Sequence, residues 1–136
     1  MEKLIGDYGI GHVRYPTAGG AGKEFSQPYY VNSPYGISLA HNGNLTNSKQ
    51  LANELFHAEM RHLKTDSDSE VLLNIFAHEL AKQREIYPSA ENIFKAVSKT
   101  HLRCDGAYAV LALIAGHGLV AFRDNNGIRP LSIGIR

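Results

Sequence analysis

The hydrophobic pattern of this chain changes its period twice, which limits the folds that it can form. Apolar runs at 29–31 and 37–40 flank a turn-like Asn-Ser-Pro-Tyr-Gly sequence and predict a β-hairpin. Between about 48 and 97 the apolar residues recur every three or four positions, as in amphipathic helices. A continuous apolar run at 107–115, a glycine-containing turn and a second run at 119–122 then predict a buried hairpin. This order favours an α+β domain over a regular βαβ alternation.

Three helices are predicted between the two hairpins. The first runs from about Ser48 to Arg61, because its apolar residues fall on one side. The second opens at Ser67, whose spacing to Glu70 is that of a capping box. The third starts near Ser89, after a Tyr-Pro pair. Its predicted buried face consists of Ile93, Phe94 and Val97.

A further strand is predicted near each end of the chain. Residues 8–13 are glycine-rich, and glycines in a strand often mark the close approach of a backbone or a ligand. Residues 131–135 are predicted as the last strand. A sheet that helices cover on one face still has another apolar face, so we expect a second sheet. The strands in this sequence are too few for two complete sheets.

Charge, hydropathy and cysteine content exclude several classes of protein. Lys and Arg number 14 and Asp and Glu number 13, a net charge of +1, so we expect no nucleic-acid partner. The longest apolar run, 107–115, is far shorter than the ~20 residues of a membrane helix, and no signal peptide is evident. Cys104 is the single cysteine, which excludes an intrachain disulfide and suits a cytoplasmic protein. The histidines lack metal-ligand spacing, so we expect no metal.

Four residues could carry chemistry. The Asn42 amide and the backbone N–H of Gly43 could hold a developing oxyanion, although Asn-Gly is also the commonest tight-turn dipeptide. Arg14 could grip a carboxylate or be a solvated arginine at a strand end. Asp68, in the first turn of a helix, could bind an ammonium group or act as a cap. A pocket holding both Arg14 and Asp68 would suit a free amino acid, but their spacing does not show that they meet.

Four segments with these residues occur in a characteristic order. They are 12–19 (HVRYPTAG), 41–47 (HNGNLTN), 65–70 (TDSDSE) and 123–131 (RDNNGIRPL). Together they closely resemble the class II glutaminase domain of the glutamine phosphoribosylpyrophosphate amidotransferases, or amidophosphoribosyltransferases. The resemblance covers nearly the whole chain, and four ordered motifs are far more specific than any one of them.

The resemblance implies both a fold and an activity. The fold would be a four-layer αββα sandwich of antiparallel sheets, like that of N-terminal-nucleophile hydrolases, here incomplete at both ends. Residues 1–136 would form a partial glutamine amidotransferase domain, with the phosphoribosyltransferase domain absent. The family hydrolyses glutamine to glutamate and ammonia, and the ammonia converts phosphoribosyl pyrophosphate to phosphoribosylamine, the first step of de novo purine synthesis. No cofactor is expected in this chain, because Mg²⁺ would belong to the absent phosphoribosyltransferase domain.

The resemblance also implies roles for single residues. Arg14 would grip the glutamine α-carboxylate and Asp68 would receive its α-ammonium. The Asn42 side chain and the Gly43 N–H would form the oxyanion hole. A loop that starts at Arg14 would close over glutamine. In that loop, Thr17 would line the pocket and Tyr15 would relay occupancy of a distant second site.

The nucleophile of the family is a cysteine at the mature N-terminus, whose own α-amine acts as base. This sequence begins with Met1, and Cys104 is internal. We therefore expect that the chain alone hydrolyses no glutamine. The alternative is a non-catalytic module that binds glutamine, or that pairs with a complementing chain or another copy of itself. A third interpretation, an unrelated α+β binding protein, requires all four motifs to be coincidental.

Overall fold

A computed structural model describes residues 6–13 and 26–135 of the chain. Four strands and three helices follow one another in the order strands, helices, strands. They are β1 (Tyr29–Val31), β2 (Ile37–Leu45), α1 (Ser48–His57), α2 (Asp68–Ala81), α3 (Ala90–Arg103), β3 (Gly106–Ile114) and β4 (Gly118–Arg123). The strands form one antiparallel sheet in the order β1-β2-β3-β4. The predicted α+β class and both predicted hairpins are confirmed.

The pairing of β2 with β3 organises the sheet. The two strands are joined along their whole length, from Ile37 opposite Ile114 to Leu45 opposite Gly106. The three helices occupy the chain between these neighbouring strands. In contrast, β1 pairs with β2 only as far as Leu39. Beyond Leu39, β2 therefore has a strand on one side only among the described elements.

The core lies between one face of the sheet and α2. Alternate residues of β2 and β3, such as Leu39 and Val110, are buried on this face, as the two-residue period of strands requires. Helix α2 packs against β1 and β2 and is flanked by α1 and α3. Its residues are buried almost all round, which explains the continuous apolar run from Val71 to Leu73.

The other face of the sheet carries apolar side chains that no described helix or strand covers. On this open face, Leu111 is 40% and Leu119 is 51% exposed. Residues 6–13 and 26–135 thus contain one sheet and one helical layer, without the second sheet that the four-layer expectation includes. None of the three described helices has the length and apolar character needed to cross a bilayer.

Several sequence predictions are wrong. Helix α1 ends at His57 and not near Arg61. Residues 8–13 and 131–135 form no strand and pair with none of the four described strands. After β4, the Asp124 carboxylate accepts three backbone N–H groups from 126–129, which turns the chain out of the sheet. Phe94, predicted to be buried, is 62% exposed, because it lies about 100° around α3 from Ile93.

Candidate functional site

The Asn42-Gly43 dipeptide, for which a tight turn was one of the two interpretations, is part of a strand. Residues 41–44 continue β2, and Asn42 and Gly43 lie opposite Ala109 and Tyr108 of β3. The turn interpretation is therefore wrong, because nine residues of β3 pair along the whole of β2 and override the local turn preference of the dipeptide. Asn42 is exposed, and its side chain lies on the open face of the sheet.

Gly43 is required where it lies. Its φ of 152° is one that residues with a side chain rarely adopt. A Cβ added there would lie 2.0 Å from the carbonyl oxygen of Ala107 and 2.7 Å from the Cα of Tyr108. Both neighbours are backbone atoms of β3, which cannot rotate away. Glycine therefore allows β2 and β3 to stay paired at this point.

Asp68 is joined to the same strand. It is the first residue of α2, and its Oδ2 accepts the backbone N–H of Leu45 at 3.0 Å. Its side chain is 22% exposed, so the carboxylate remains open to a ligand. The N-cap of α2 is Ser67, whose hydroxyl accepts the backbone N–H of Ser69. Asp68 therefore binds the end of β2 and does not serve as the helix cap.

The β2 edge is the side of residues 41–45 that faces away from β3. Side chains, and not a neighbouring strand, accept N–H groups there. The N–H of His41 donates to the Gln27 side-chain oxygen at 2.6 Å, and the N–H of Leu45 donates to Asp68. Because N–H groups of alternate residues point the same way, the N–H of Gly43 is directed to this edge between them. Gly43 and Leu45 are two residues apart, about 7 Å along an extended strand. A backbone donor and a carboxylate thus lie side by side on the β2 edge.

Buried polar side chains support the β2 edge from the core side. His41 is 3% exposed, and its Nδ1 lies 2.9 Å from the hydroxyl of Ser69. The Ser69 hydroxyl also accepts the Nε2–H of Gln27 at 3.1 Å. Burial lowers the pKa of His41, the Asp68 carboxylate opposes this effect, and the charges of His12 and Arg129 lower the pKa further. Gln27 and Ser69 carry no local sequence signal of a site, because they meet His41 only in the folded chain.

Glu70 bonds to the loop before α2 and not, as the capping-box spacing predicted, to the backbone of Ser67. The carboxylate of Glu70 accepts the backbone N–H groups of Lys64 and Thr65 and the hydroxyl of Thr65. It does not reach back to the backbone of Ser67, so the predicted capping box does not form. A capping box instead opens α3, where Ser89 and Asn92 bond to each other's backbone. Glu70 fixes the loop that leads into the helix carrying Asp68.

The remaining candidates divide into two groups. Arg14, Tyr15 and Thr17 lie outside the described residues. Cys104 is buried, and burial raises the pKa of its thiol to about 12, so it is not a nucleophile at neutral pH. Within residues 6–13 and 26–135, no group of three or more His, Cys, Asp or Glu side chains is arranged to hold a metal ion.

The sequence matches a family model described as a glutamine amidotransferase domain over residues 20–136. Amidophosphoribosyltransferase of Pseudomonas aeruginosa is 62% identical over the whole of this chain, which covers 27% of that protein. The Escherichia coli enzyme of the same name is 59% identical with the same coverage. The chain thus spans about a quarter of the length of these relatives.

Two solved structures share the fold. Glutamine phosphoribosylpyrophosphate amidotransferase of B. subtilis, complexed with ADP and GMP, superimposes with a TM-score of 0.68 and 31% identity. The match covers 92% of this chain and 25% of that one. A structure described as the allosteric regulatory enzyme of purine biosynthesis gives a TM-score of 0.69 at 34% identity, over 91% of this chain and 25% of the other.

Proposed function

The chain belongs to the glutamine amidotransferase domain family, and from this premise we propose that the β2 edge and Asp68 bind glutamine. Its fold is the N-terminal-nucleophile hydrolase fold of the phosphoribosylpyrophosphate amidotransferases. The observation that carries the proposal is the placement of the Asp68 carboxylate two residues along the β2 edge from the N–H of Gly43. This spacing is comparable with the distance from the amino group to the side-chain amide of an extended glutamine.

The chemistry of the β2 edge suits the two ends of glutamine. Asp68 uses one lone pair on the N–H of Leu45, and an ionised carboxylate can accept further hydrogen bonds, here from an α-ammonium. The amide carbonyl of glutamine would then face the N–H of Gly43 and the side-chain amide of Asn42. Two neutral donors aimed at a carbonyl oxygen stabilise the negative charge that develops there during acyl transfer. We assign Asn42 and Gly43 to the oxyanion hole.

Further roles rest on the resemblance alone. Arg14 would hold the α-carboxylate of glutamine, Thr17 would line the pocket, and Tyr15 would belong to the loop that closes over it. The nucleophile would be a cysteine outside these 136 residues, since the thiol of Cys104 is buried and protonated. With that cysteine, glutamine would be hydrolysed to glutamate and ammonia, and a phosphoribosyltransferase domain would use the ammonia to make phosphoribosylamine for purine synthesis. We place this activity in the cytoplasm.

The open face of the sheet favours a second candidate function. Leu111 and Leu119 expose apolar surface that a neighbouring layer would cover. The chain could therefore act as a glutamine-binding module that pairs with a complementing chain or with a second copy. Sedimentation of the purified chain tests the pairing with a second copy, because such a module forms dimers whose stability depends on Leu111 and Leu119.

Calorimetric titration of glutamine into the 136-residue chain tests the proposed site. The variant Asp68→Asn keeps the shape of the side chain and removes its charge. A hydrogen bond to a charged group is worth about 1.5–3 kcal/mol, so we expect the variant to bind glutamine about tenfold more weakly or worse. Asp66→Asn is the matched control, because Asp66 is an exposed aspartate two residues earlier, and it should bind like the wild type. Equal affinities for the wild type and Asp68→Asn would refute the proposed site.

A further inference from the structure

The hydroxyl of Ser69 is the centre of a buried hydrogen-bond network beside Asp68. Ser69 is fully enclosed at the start of α2, and its Oγ has three polar neighbours. The Nε2 of Gln27 lies at 3.1 Å, the Nδ1 of His41 at 2.9 Å and the Oδ1 of Asp68 at 3.5 Å. Gln27 also accepts the backbone N–H of His41, which links the network to β2. The first turn of α2 is thereby fixed to the β2 edge.

The direction of the protons at Ser69 depends on which ring nitrogen of His41 carries its hydrogen. Burial lowers the pKa of His41, so its ring is neutral at pH 7 and carries one N–H. Gln27 donates to the Ser69 oxygen. When the proton of His41 is on Nδ1, the ring donates to the same oxygen, and both lone pairs of Ser69 are used. The hydroxyl proton of Ser69 is then left for Oδ1 of Asp68.

We propose that Ser69, held by Gln27 and His41, is a positioning residue that orients the Asp68 carboxylate toward the α-ammonium of bound glutamine. The carboxylate accepts the Leu45 N–H at Oδ2, and the Ser69 hydroxyl lies 3.5 Å from Oδ1, close enough to limit the rotation of the carboxylate. A carboxylate fixed in this way loses little side-chain freedom when a ligand binds, which favours affinity. This inference rests on the proposed function, because it concerns the same ligand.

The test compares two ligands that differ only in the group that Asp68 would bind. Glutaramate is glutamine without the α-amino group. The ratio of the glutaramate Kd to the glutamine Kd, measured calorimetrically with the 136-residue chain, therefore reports the ammonium–Asp68 contact. We expect a ratio of about ten or more for the wild type, which Asp68→Asn lowers nearly to one. A variant that merely unfolds part of the chain weakens both ligands equally and leaves the ratio unchanged.

Ser69→Ala should lower this ratio about threefold, since it loosens the hydrogen bond between Asp68 and the α-ammonium without removing it. Ser67→Ala is the matched control. It removes a hydroxyl from the same helix end, which accepts the Ser69 backbone N–H and makes no hydrogen bond to Gln27 or His41. An unchanged ratio in Ser69→Ala, or an equal fall in Ser67→Ala, would overturn the role of Ser69 and leave the proposed function standing.

A second pair of variants keeps the inference testable if Ser69→Ala does not fold. His41→Asn places an amide near the position of Nδ1, whereas His41→Leu fills the space with apolar atoms. We expect His41→Asn to keep a higher Kd ratio than His41→Leu, and equal ratios would refute the network. A wild-type ratio near one that Asp68→Asn does not change would refute the proposed function itself, and the positioning role would fall with it.

Discussion

Replacing Gly43 by alanine should destabilise the chain far more than a glycine substitution in a turn. Two costs add at this position. A residue with a side chain is strained by about 1–3 kcal/mol at a disfavoured φ such as 152°. The new Cβ would also overlap the backbone of Ala107 at 2.0 Å, so β3 must move, and overpacking of this kind costs about 1–3 kcal/mol. We expect a loss of about 3 kcal/mol or more in the free energy of unfolding.

Gly116→Ala is the control for the backbone strain alone. Gly116 lies in the turn between β3 and β4 with a φ of 77°, and an added Cβ there meets no atom within 4 Å. Its substitution should cost only about 1–2 kcal/mol. Urea unfolding followed by circular dichroism gives both free energies by linear extrapolation. If Gly43→Ala and Gly116→Ala differed by less than about 0.5 kcal/mol, the overlap with β3 would not be the reason for glycine at position 43.

Three other predictions follow from the buried groups and the helix caps. Cys104, with its pKa raised to about 12, should resist iodoacetamide at pH 8 in the folded chain and react once urea unfolds it; equal rates in both states would contradict its burial. Because burial lowers the pKa of His41 below 6.5, the unfolded chain takes up protons first, so stability should fall as the pH drops below about 6.5. The urea midpoint should fall between pH 7.5 and pH 5.5, and it should fall less in His41→Asn than in the wild type. Ser89→Ala should cost about 1 kcal/mol in urea unfolding through the lost capping box of α3, whereas Ser98→Ala, at an exposed position of the same helix, should cost little.

The sequence predicted those elements whose apolar pattern agrees with their packing. The three helices and both hairpins follow from local periodicity. The end of β2 did not, because the polar residues at 41–44 have the composition of a turn and only their pairing with β3 keeps them extended. The predicted strand at 131–135 failed for the opposite reason: its apolar residues alternate as in a strand, but they pair with no described strand.

The site was predicted in part, from charge and from single residues. Asp68 was singled out as a carboxylate at a helix start, and the structure adds that this carboxylate bonds to β2. Gly43 was singled out as an open backbone donor, and the structure adds the steric reason for a glycine. Gln27 and Ser69 could not be found in this way. They are 42 residues apart in sequence, and the hydrogen bond between them exists only after α2 packs on the sheet.

The N–H groups along residues 41–45 would otherwise be available to a strand from another molecule, the usual route by which sheets add to one another. Gln27 and Asp68 occupy the two outer donors with side-chain oxygens, and an incoming backbone cannot displace both without losing buried contacts. Gln27 and Asp68, which bond to the two ends of the β2 edge, therefore also hinder the edge-to-edge pairing of strands that leads to fibres. Substitutions that remove these side-chain oxygens would free the N–H groups of the β2 edge, so loss of ligand affinity and gain of aggregation should arise together.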